Sequence, residues 1–465
     1  MQIPVLSGVY ASPVGDIRAS YPVNLMPVFI SSGVSTGYLR PADGIVQIAT
    51  GPGVDRGGIN WNGTCYRVMG SKLVSISNAG VITTIGDVGV GGPVAMDYSF
   101  DRLAILSAGS LYYYNGMTLT HVTDTDLGSP IDMLWVDGYF MLTDGEFLIV
   151  TELNDPAAIS PLKYGSAEAD PDPVKAILKV KNEPSALGRY TIETYDNVGG
   201  ELFPFARIEG AQIQKGVVGT YACCVINDAL VFVGGGRDEG IAVYVGYNGV
   251  ARRISTREID QVLAEFTEAE LAANCICESR IENGQVLLYI HLPDRTLVYD
   301  FAGADSASQP VWVVLTSALM GLGQYRARFF TRCYDKWIVG DPLAARIGET
   351  TDAISTHWGQ KTGWLFGTVM VYNESRGAVF HSLELVTINA GITAEPVVWT
   401  SYSTDGETWS MEKAKPCGTL GDRNKRLAWL QCGLMGNFRI QRFRGTSDAR
   451  LSIARLEAQL EPLNV

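Results

Sequence analysis

The sequence predicts an all-β protein: a β-propeller of six or seven blades with a short helical insertion and a C-terminal β-sandwich-like domain. Three observations support this fold class. Tight-turn dipeptides recur along the chain, and strand-like runs flank most of them at a repeating distance. Charged residues make up only 18% of the 465 residues, below the roughly 25% of typical soluble domains.

Asn-Gly and Asp-Gly pairs mark the predicted turns. Tight hairpins need positive φ at their central residues, and these dipeptides adopt it at little cost. The pairs are Asn62–Gly63, Asn115–Gly116, Asn248–Gly249, Asn283–Gly284, Asp43–Gly44, Asp137–Gly138, Asp144–Gly145 and Asp405–Gly406.

Strand–turn–strand units repeat between about residues 51 and 350. The run "RVMGSKLVSISNAGVITTI" from Arg67 has the same order of strands and turns as "LAILSAGSLYYYNGMTLTHV" from Leu103. Successive first turns lie roughly 35 to 60 residues apart, close to the spacing of propeller blades. A single blade cannot bury both faces, whereas a closed ring of blades can. The unit from Val174 to Ile208 shows the pattern least clearly.

We predict three regions: an extended N-terminal arm at residues 1–50, the propeller at 51–350 and the sandwich-like domain at 351–465. Prolines at positions 4, 13, 22, 27 and 41 predict an arm with little regular structure. After Thr350, runs such as "WLFGTVMVY" and "VFHSLELVTIN" resemble strands of a sandwich more than another blade.

The helical insertion is the stretch "ISTREIDQVLAEFTEAELAAN", which begins at Ile254. It contains two capping boxes, each with a hydrophobic staple, and one apolar stripe. Two hypotheses fit this insertion: it packs on its own ring, or it contacts a neighbouring subunit. If it contacts a neighbour, Ile259, Val262 and Phe266 are partner-interface candidates. The boxes are Ser255 with Glu258 and Thr267 with Glu270; the staples are Ile254 with Ile259 and Phe266 with Leu271.

The charge balance argues against a nucleic-acid reader, which would need basic residues to neutralise phosphates. The net charge is −13, from 36 Lys and Arg against 49 Asp and Glu. From Asp352 onward, 12 basic residues stand against 11 acidic ones, which leaves 24 against 38 upstream. The acidity therefore belongs to the first three quarters of the chain.

Basic residues cluster late in the chain, and three hypotheses fit them. They form a solvated sheet face, contact an acidic protein partner or neighbouring ring, or contact DNA directly. Under the second hypothesis Arg439, Arg442 and Arg444 are partner-interface candidates. The cluster comprises Arg423, Lys425, Arg426, Arg439, Arg442 and Arg444.

The sequence contains no recognisable catalytic, cofactor-binding or metal-binding motif. Its four histidines are far apart, and no nucleophile elbow or phosphate-binding loop is present. The stretch "YSTDGETWS" from Tyr402 resembles the aspartate box of sialidases, but it is one residue shorter and occurs once, outside the ring. We therefore predict a structural turn at Asp405–Gly406, with Trp409 packed against Trp399 or Tyr402, and we predict that the protein is not an enzyme.

Several features bear on the compartment. The eight cysteines show no metal-type pairing and are predicted to be buried thiols in a reducing cytoplasm. The N-terminus "MQIPVLSGVY" does not read as a signal peptide. No apolar run approaches the ~20 residues that a membrane span needs.

Five stretches in order resemble a known family. They are "ASYPVNLMPV" from Ala19, "TGYLRPADGI" from Thr36, "IQKGVVGTYA" from Ile213, "LLYIHLPDRTLVYD" from Leu287 and "VWVVLTS" from Val311. Together they are similar to the packaged-DNA stabilisation protein, or tail nozzle, of short-tailed bacteriophages. The segment from Gly165 to Ile208 departs from the family pattern.

The resemblance implies a β-propeller nozzle in the virion tail, assembled in the host cytoplasm as a homohexameric ring beneath the portal-adaptor ring. It implies closure of the DNA exit after packaging, a conduit for genomic DNA without sequence-specific binding, and attachment of the tail needle and of tailspike or fibre proteins. The alternative hypothesis is a propeller glycosidase or carbohydrate-binding protein acting on surface polysaccharide. A glycosidase should hold paired carboxylates at the centre of the ring.

Overall fold

The computed structural model of the chain describes residues 1–12, 16–30, 35–153, 155–167, 170–374, 376–390, 396–418 and 425–463. Within these ranges the chain forms 42 β-strands and three short α-helices. The strands form seven propeller blades, two further sheets that pack as a sandwich and one two-stranded hairpin. The all-β prediction is therefore confirmed.

The first 50 residues contain more regular structure than their prolines predict. Pro27 lies in an edge strand of its sheet, where a missing N–H is tolerated, and Pro22 lies between strands. Proline content therefore did not prevent strand formation here. The strands are β1 (Gln2–Ile3), β2 (Gly8–Ser12), β3 (Asp16–Ser20), β4 (Leu25–Phe29), β5 (Gly37–Pro41) and β6 (Gly44–Thr50).

Each of the first four blades is a four-stranded antiparallel sheet. The first comprises β7 (Asp55–Trp61), β8 (Thr64–Met69), β9 (Lys72–Ile76) and β10 (Ile82–Asp87). The second comprises β11 (Ala95–Tyr98), β12 (Leu103–Ser107), β13 (Ser110–Tyr114) and β14 (Leu119–His121). The third comprises β15 (Asp132–Val136), β16 (Tyr139–Thr143), β17 (Phe147–Glu152) and β18 (Asp155–Ser166). The fourth, where the repeat was least clear, comprises β19 (Val174–Val180), β20 (Glu183–Gly188), β21 (Ile192–Asn197) and β22 (Phe205–Arg207).

Three more blades complete the ring. The fifth comprises β23 (Gly216–Val217), β24 (Cys223–Ile226), β25 (Ala229–Gly235), β26 (Ala242–Tyr247) and β27 (Val250–Arg253). The sixth comprises β28 (Ile276–Glu282), β29 (Gln285–His291), β30 (Thr296–Asp300) and β31 (Trp312–Leu315). The seventh comprises β32 (Arg328–Cys333), β33 (Lys336–Gly340) and β34 (Arg346–Thr351), with β6 as its outer strand.

The innermost strands of the blades contact one another in a closed circle, in the order β7, β11, β15, β19, β24, β28 and β32. The N-terminal segment closes this circle. Its strand β6 pairs with β34 of the seventh blade and places Gly44 opposite Thr351. Hydrophobic clusters fill the spaces between neighbouring blades. Ring closure therefore joins residues about 300 positions apart, which no local pattern could reveal.

The predicted turn dipeptides adopt the expected backbone at four places. Both residues have positive φ at Asn62–Gly63, Asp137–Gly138, Asn248–Gly249 and Asn283–Gly284. This is the backbone that favours Asn-Gly and Asp-Gly in two-residue hairpins.

The helices are short and lie between strands. The predicted pair consists of α1 (Arg257–Ala264) and α2 (Glu268–Asn274), between the fifth and sixth blades. The third helix, α3 (Phe301–Ala307), precedes the outer strand of the sixth blade.

The C-terminal domain packs one sheet with strand order β4-β5-β42-β37-β40 against another with strand order β35-β41-β38-β39. Aromatic side chains such as Trp364, Phe380 and Phe443 form much of its core. Its strands are β35 (Gly363–Gly367), β36 (Val371–Tyr372), β37 (Ala378–Ala390), β38 (Val397–Ser403), β39 (Lys413–Pro416), β40 (Leu427–Met435), β41 (Phe438–Thr446) and β42 (Arg450–Pro462).

The N-terminal segment fastens the sandwich to the propeller. The Asn24 amide donates to Thr316 O at 2.9 Å and to Gly363 O at 2.7 Å. Val23 forms bridges to both Val314 and Leu365. Because residues before position 50 pair with both bodies, the boundaries at residues 50 and 351 stay predictions about sequence regions.

Candidate functional sites

The seven innermost strands surround a cavity of about 450 Å³ at the centre of the propeller. Three carboxylates belong to its wall: Asp97 from β11, Asp132 from β15 and Glu278 from β28. A propeller glycosidase would place its acids at such a centre. The contacts of these groups therefore bear directly on the alternative hypothesis.

Asp97 and Asp132 each bond to the backbone of the following blade. Asp97 Oδ2 accepts from Trp135 N at 2.6 Å, and Asp132 Oδ2 accepts from Ile177 N at 2.9 Å. Burial raises the pKa of both carboxyls, and for Asp132 to about 7, although these N–H groups act in the opposite direction. The two side chains link the second blade to the third and the third to the fourth.

Glu278 links the sixth blade to the seventh. It accepts from the N–H groups of Phe329 at 2.8 Å and Phe330 at 2.6 Å. His291 Nε2 lies 3.1 Å from Glu278 Oε1, and His291 Nδ1 lies 2.9 Å from Thr296 Oγ1. Burial alone would raise the pKa of Glu278, but the contacts with His291 and the two N–H groups outweigh it and lower that pKa. All three cavity carboxylates thus serve blade-to-blade contacts.

A tyrosine crosses the ring at one end of the cavity. Tyr221, which precedes β24 of the fifth blade, donates its hydroxyl hydrogen to Pro93 O at 3.0 Å, just before β11 of the second blade. This hydrogen bond spans the ring, so a duplex could not pass along the centre of the propeller without breaking it.

The aspartate-box-like stretch forms a hydrogen-bonded turn. Asp405 Oδ1 accepts from Glu407 N at 2.9 Å and Thr408 N at 2.8 Å, while Gly406 N donates to Ser403 Oγ at 2.7 Å. Hydrogen bonds from the Thr408 hydroxyl and from these N–H groups hold the pKa of Asp405 far below its usual range. Every polar contact of the Asp405 carboxylate serves the turn, as predicted.

The helical pair begins as the capping patterns indicate, with one difference. Thr267 and Glu270 form the second predicted capping box, which is confirmed. In the first helix Thr256, not Ser255, is the N-cap, because its hydroxyl accepts from Ile259 N. Ser255 instead donates its hydroxyl hydrogen to Asp260 at 2.6 Å.

The apolar stripe of the helical pair faces the chain's own core. Ile259 is buried within the cluster between the fifth and sixth blades, so its side chain is not available to a partner. Val262 and Phe266 are half-buried against the same cluster and remain interface candidates. The helices are also held from outside, because Arg257 forms an ion pair with Asp16 at 2.6 Å.

Arg439 lies inside the sandwich, which corrects the prediction of a surface residue. Its guanidinium is stacked between the rings of Phe380 and Tyr402, at 4.1 and 3.8 Å from their centroids. It donates to Cys432 O at 2.7 Å and to the Gln441 side chain. Burial lowers the pKa of Arg439 to about 10, and the partners that the described residues offer it are uncharged.

Arg442 and Arg444 lie on the outer face of β41 and remain interface candidates. Arg442 stacks over Trp409 at 4.1 Å, so Trp409 packs against an arginine rather than against Trp399 or Tyr402 as predicted. Arg444 stacks over Trp399 at 4.5 Å and bonds to Glu412 at 2.7 Å. Arg423 of the same basic cluster lies outside the described residues.

Sequence reasoning missed a set of exposed apolar side chains on the propeller connections. Phe100 is 93% exposed and Met117 is 90% exposed, both in the second blade. The sequence did indicate them, because each residue stands within a turn. Phe100 lies in "SFDR" and Met117 in "NGMT". A large apolar residue at a turn tip has no core to enter and indicates an interaction surface.

In the part of the chain that the structure describes, no three His, Cys, Asp or Glu side chains are grouped in a way that could hold a metal ion. None of its helices is both long and apolar enough to span a membrane.

Comparison with known proteins decides the family. Residues 1–355 match the family model described as "Bacteriophage P22 Gp10, beta-propeller", and residues 363–461 match the model described as "Bacteriophage P22 Gp10, beta-sandwich". The chain belongs to the bacteriophage P22 Gp10 family. Both halves of the predicted fold class, propeller and sandwich, are thereby confirmed.

A curated relative is similar over nearly the whole chain. The tail hub protein gp10 of Salmonella phage P22 is 27% identical over 455 residues, which is 93% of this chain and 93% of that protein. Among solved structures, the N-terminal domain of Nup159 has a TM-score of 0.42 at 10% identity and covers 66% of this chain and 93% of its own. The Neurospora crassa Pan2 WD40 domain has a TM-score of 0.44 at 12% identity and covers 67% and 96%.

Proposed function

We propose that this chain is the tail hub of a bacteriophage virion, a structural component of the tail that is assembled in the host cytoplasm. The observation that carries the proposal is the similarity to a protein named as a tail hub, which extends across propeller and sandwich alike.

In finer detail, the protein acts as the nozzle below the portal and adaptor of a short-tailed phage. Six copies surround the tail axis, close the DNA exit after packaging and form the conduit during ejection. The needle and the tailspike or fibre proteins attach to this ring. The small, barred centre of the propeller supports a DNA path between copies rather than through any one of them.

The charge of the chain suits a conduit that does not hold DNA. Six copies at −13 each carry about −78, and duplex DNA carries one negative charge per ~1.7 Å of its axis. At physiological salt the Debye length is ~8 Å, so repulsion acts only where wall and duplex nearly touch. We expect an acidic or neutral channel wall, with Arg442 and Arg444 directed to protein partners.

The role is structural rather than enzymatic. The cavity carboxylates bond to backbone N–H groups of neighbouring blades, and Asp405 serves a turn. A glycosidase or lectin would instead present free acids or repeated aromatic pockets. A purified protein that cleaves host surface polysaccharide, and loses that activity in Asp405→Ala with its fold intact, would overturn this assignment.

The direct test uses packaged heads made without this protein. Such heads should leak their genome and leave it open to nuclease. Addition of the purified full-length chain should restore protection. The variant Arg442→Glu/Arg444→Glu, changed on the outer face of β41, then tests whether these two residues contribute to docking on the head. Heads that retain DNA equally well with and without the protein would contradict the proposal.

A further inference from the structure

One end of the propeller presents apolar side chains at the tips of its connections. In antiparallel blades, the first-to-second and third-to-fourth strand connections lie at the same end of the ring, here named the underside. Large apolar residues on or beside these connections are more than half exposed. They include Val81, Phe100, Met117, Leu153, Val198 and Val250.

The underside is also acidic. Its exposed acids include Asp101, whose side chain is 64% exposed and contacts Arg102 at 2.7 Å, and Asp335, whose side chain is fully exposed. Exposed bases on the same connections are fewer, and Arg332 is already in contact with Asp335 and Glu282. Other exposed acids there are Glu183, Asp196, Glu201 and Asp228.

The sandwich has an exposed apolar edge that carries a lysine. Strand β40 is at the end of its sheet, and Leu430 and Leu434 on it are 70% and 60% exposed. Met411 is 91% exposed nearby, and the Lys413 amine donates to Gln431 O at 2.8 Å, which fixes a positive charge beside β40. We name this surface the β40 edge.

We propose that the underside of one copy packs against the β40 edge of the next copy in the ring. This inference rests on the proposed tail hub function and identifies the contacting surfaces. Both surfaces expose apolar side chains that a contact would bury, and the exposed acids of the underside complement the Lys413 charge at the β40 edge. Two undersides facing each other would instead bring acid against acid.

The contact is head-to-tail, since two different surfaces of the same chain meet. Contacts of this kind produce closed rings when the rotation between copies closes, whereas self-complementary contacts stop at a dimer. The geometry also leaves the mostly acidic propellers and the more basic sandwiches alternating around the ring. That alternation matches the uneven charge of the sequence on either side of Asp352.

Cysteine cross-linking of the assembled full-length protein tests the pairing. Met117→Cys combined with Leu430→Cys should give disulfide-linked ladders up to the full ring. The matched control combines Leu430→Cys with Leu343→Cys, which is 61% exposed at the opposite end of the propeller, and should give none. Ladders of equal yield in both pairs, or only in the control, would overturn the inference.

Charge reversal gives an independent measurement. Asp101→Lys or Lys413→Glu alone should weaken ring formation by about tenfold or more, and the two together should restore it. Glu146→Lys, at the opposite end, is the control; circular dichroism checks that every variant folds. Intact rings in both single variants would refute this interface while leaving the tail hub standing. A wild-type chain that never forms a ring, even in virions, would refute the tail hub proposal itself.

Discussion

The buried ion pair at the seam between the first and seventh blades should be costly to break. Arg67 donates to both oxygens of Asp55, at 2.8 and 2.6 Å, and to Phe329 O at 3.0 Å and Thr331 Oγ1 at 3.2 Å in the seventh blade. The side chains of Arg67 and Asp55 are 0% and 1% exposed. Because Arg67 and Asp55 belong to the first blade and Phe329 and Thr331 to the seventh, the pair lies where the two ends of the propeller meet.

Arg67→Met removes one partner and leaves a buried carboxylate without a counterion. Losing one member of a buried pair costs about 3–5 kcal/mol in free energy of unfolding. The exposed pair Lys72–Asp87 is the matched control, with side chains 41% and 54% exposed. Lys72→Met should cost less than about 1 kcal/mol, since exposed pairs contribute little.

Urea unfolding followed by tryptophan fluorescence measures both variants, at concentrations where the chain is a single copy. The double variant Arg67→Met/Asp55→Asn should be more stable than Arg67→Met alone, because no charge then remains buried. Equal losses for Arg67→Met and Lys72→Met, or a double variant as unstable as the sum of its single changes, would refute the reasoning.

Four further predictions follow from other parts of the molecule. The pKa of Asp132 is raised from 3.8 to about 7 in the folded chain, so the stability of the wild type should fall as pH rises between these two values. The unfolding midpoints of Asp132→Asn should lack this part of the pH dependence, and parallel curves for the two proteins would contradict the prediction. Asp405→Ala should lower the melting temperature of the sandwich by loosening its turn, without affecting any hydrolysis of polysaccharide. Arg439→Lys should destabilise the sandwich by about 1–3 kcal/mol, because an ammonium cannot stack between two rings as the guanidinium does; an unchanged urea midpoint would show the stacking to be dispensable. Hydrogen exchange over residues 255–274 should slow when the ring assembles, if half-buried Val262 and Phe266 contact a neighbouring copy, and equal exchange in both states would reject that contact.

The blades and their turns could be predicted from the sequence, because the residues that specify them lie close together along the chain. Turn dipeptides such as Asn62–Gly63 and the capping box at Thr267 depend on residues a few positions apart. Ring closure was not readable, because β6 and β34 are distant in sequence and neither strand specifies its partner. The pairing of β1, β4 and β5 with the sandwich was hidden for the same reason.

Some placements of side chains could likewise have been predicted from the sequence, and others could not. Arg439 could have been separated from Arg442 and Arg444, because residues three or five positions apart along a strand lie on opposite faces. Phe100 and Met117 could have been recognised from their places in turns. The stacking of Arg442 on Trp409 could not, since it depends on how the turn at Asp405 folds back over β41. Contacts between strands distant in sequence are set by packing, which no single stretch encodes.

The most direct measurement of the central claim is a single-particle reconstruction of the virion that carries this protein. The tail hub assignment predicts a ring of seven-bladed propellers with attached sandwiches around the tail axis, between the adaptor ring and the needle, with DNA density passing between copies. Particles whose axial ring contains no such propellers, or in which DNA runs through the centre of a single propeller, would contradict it.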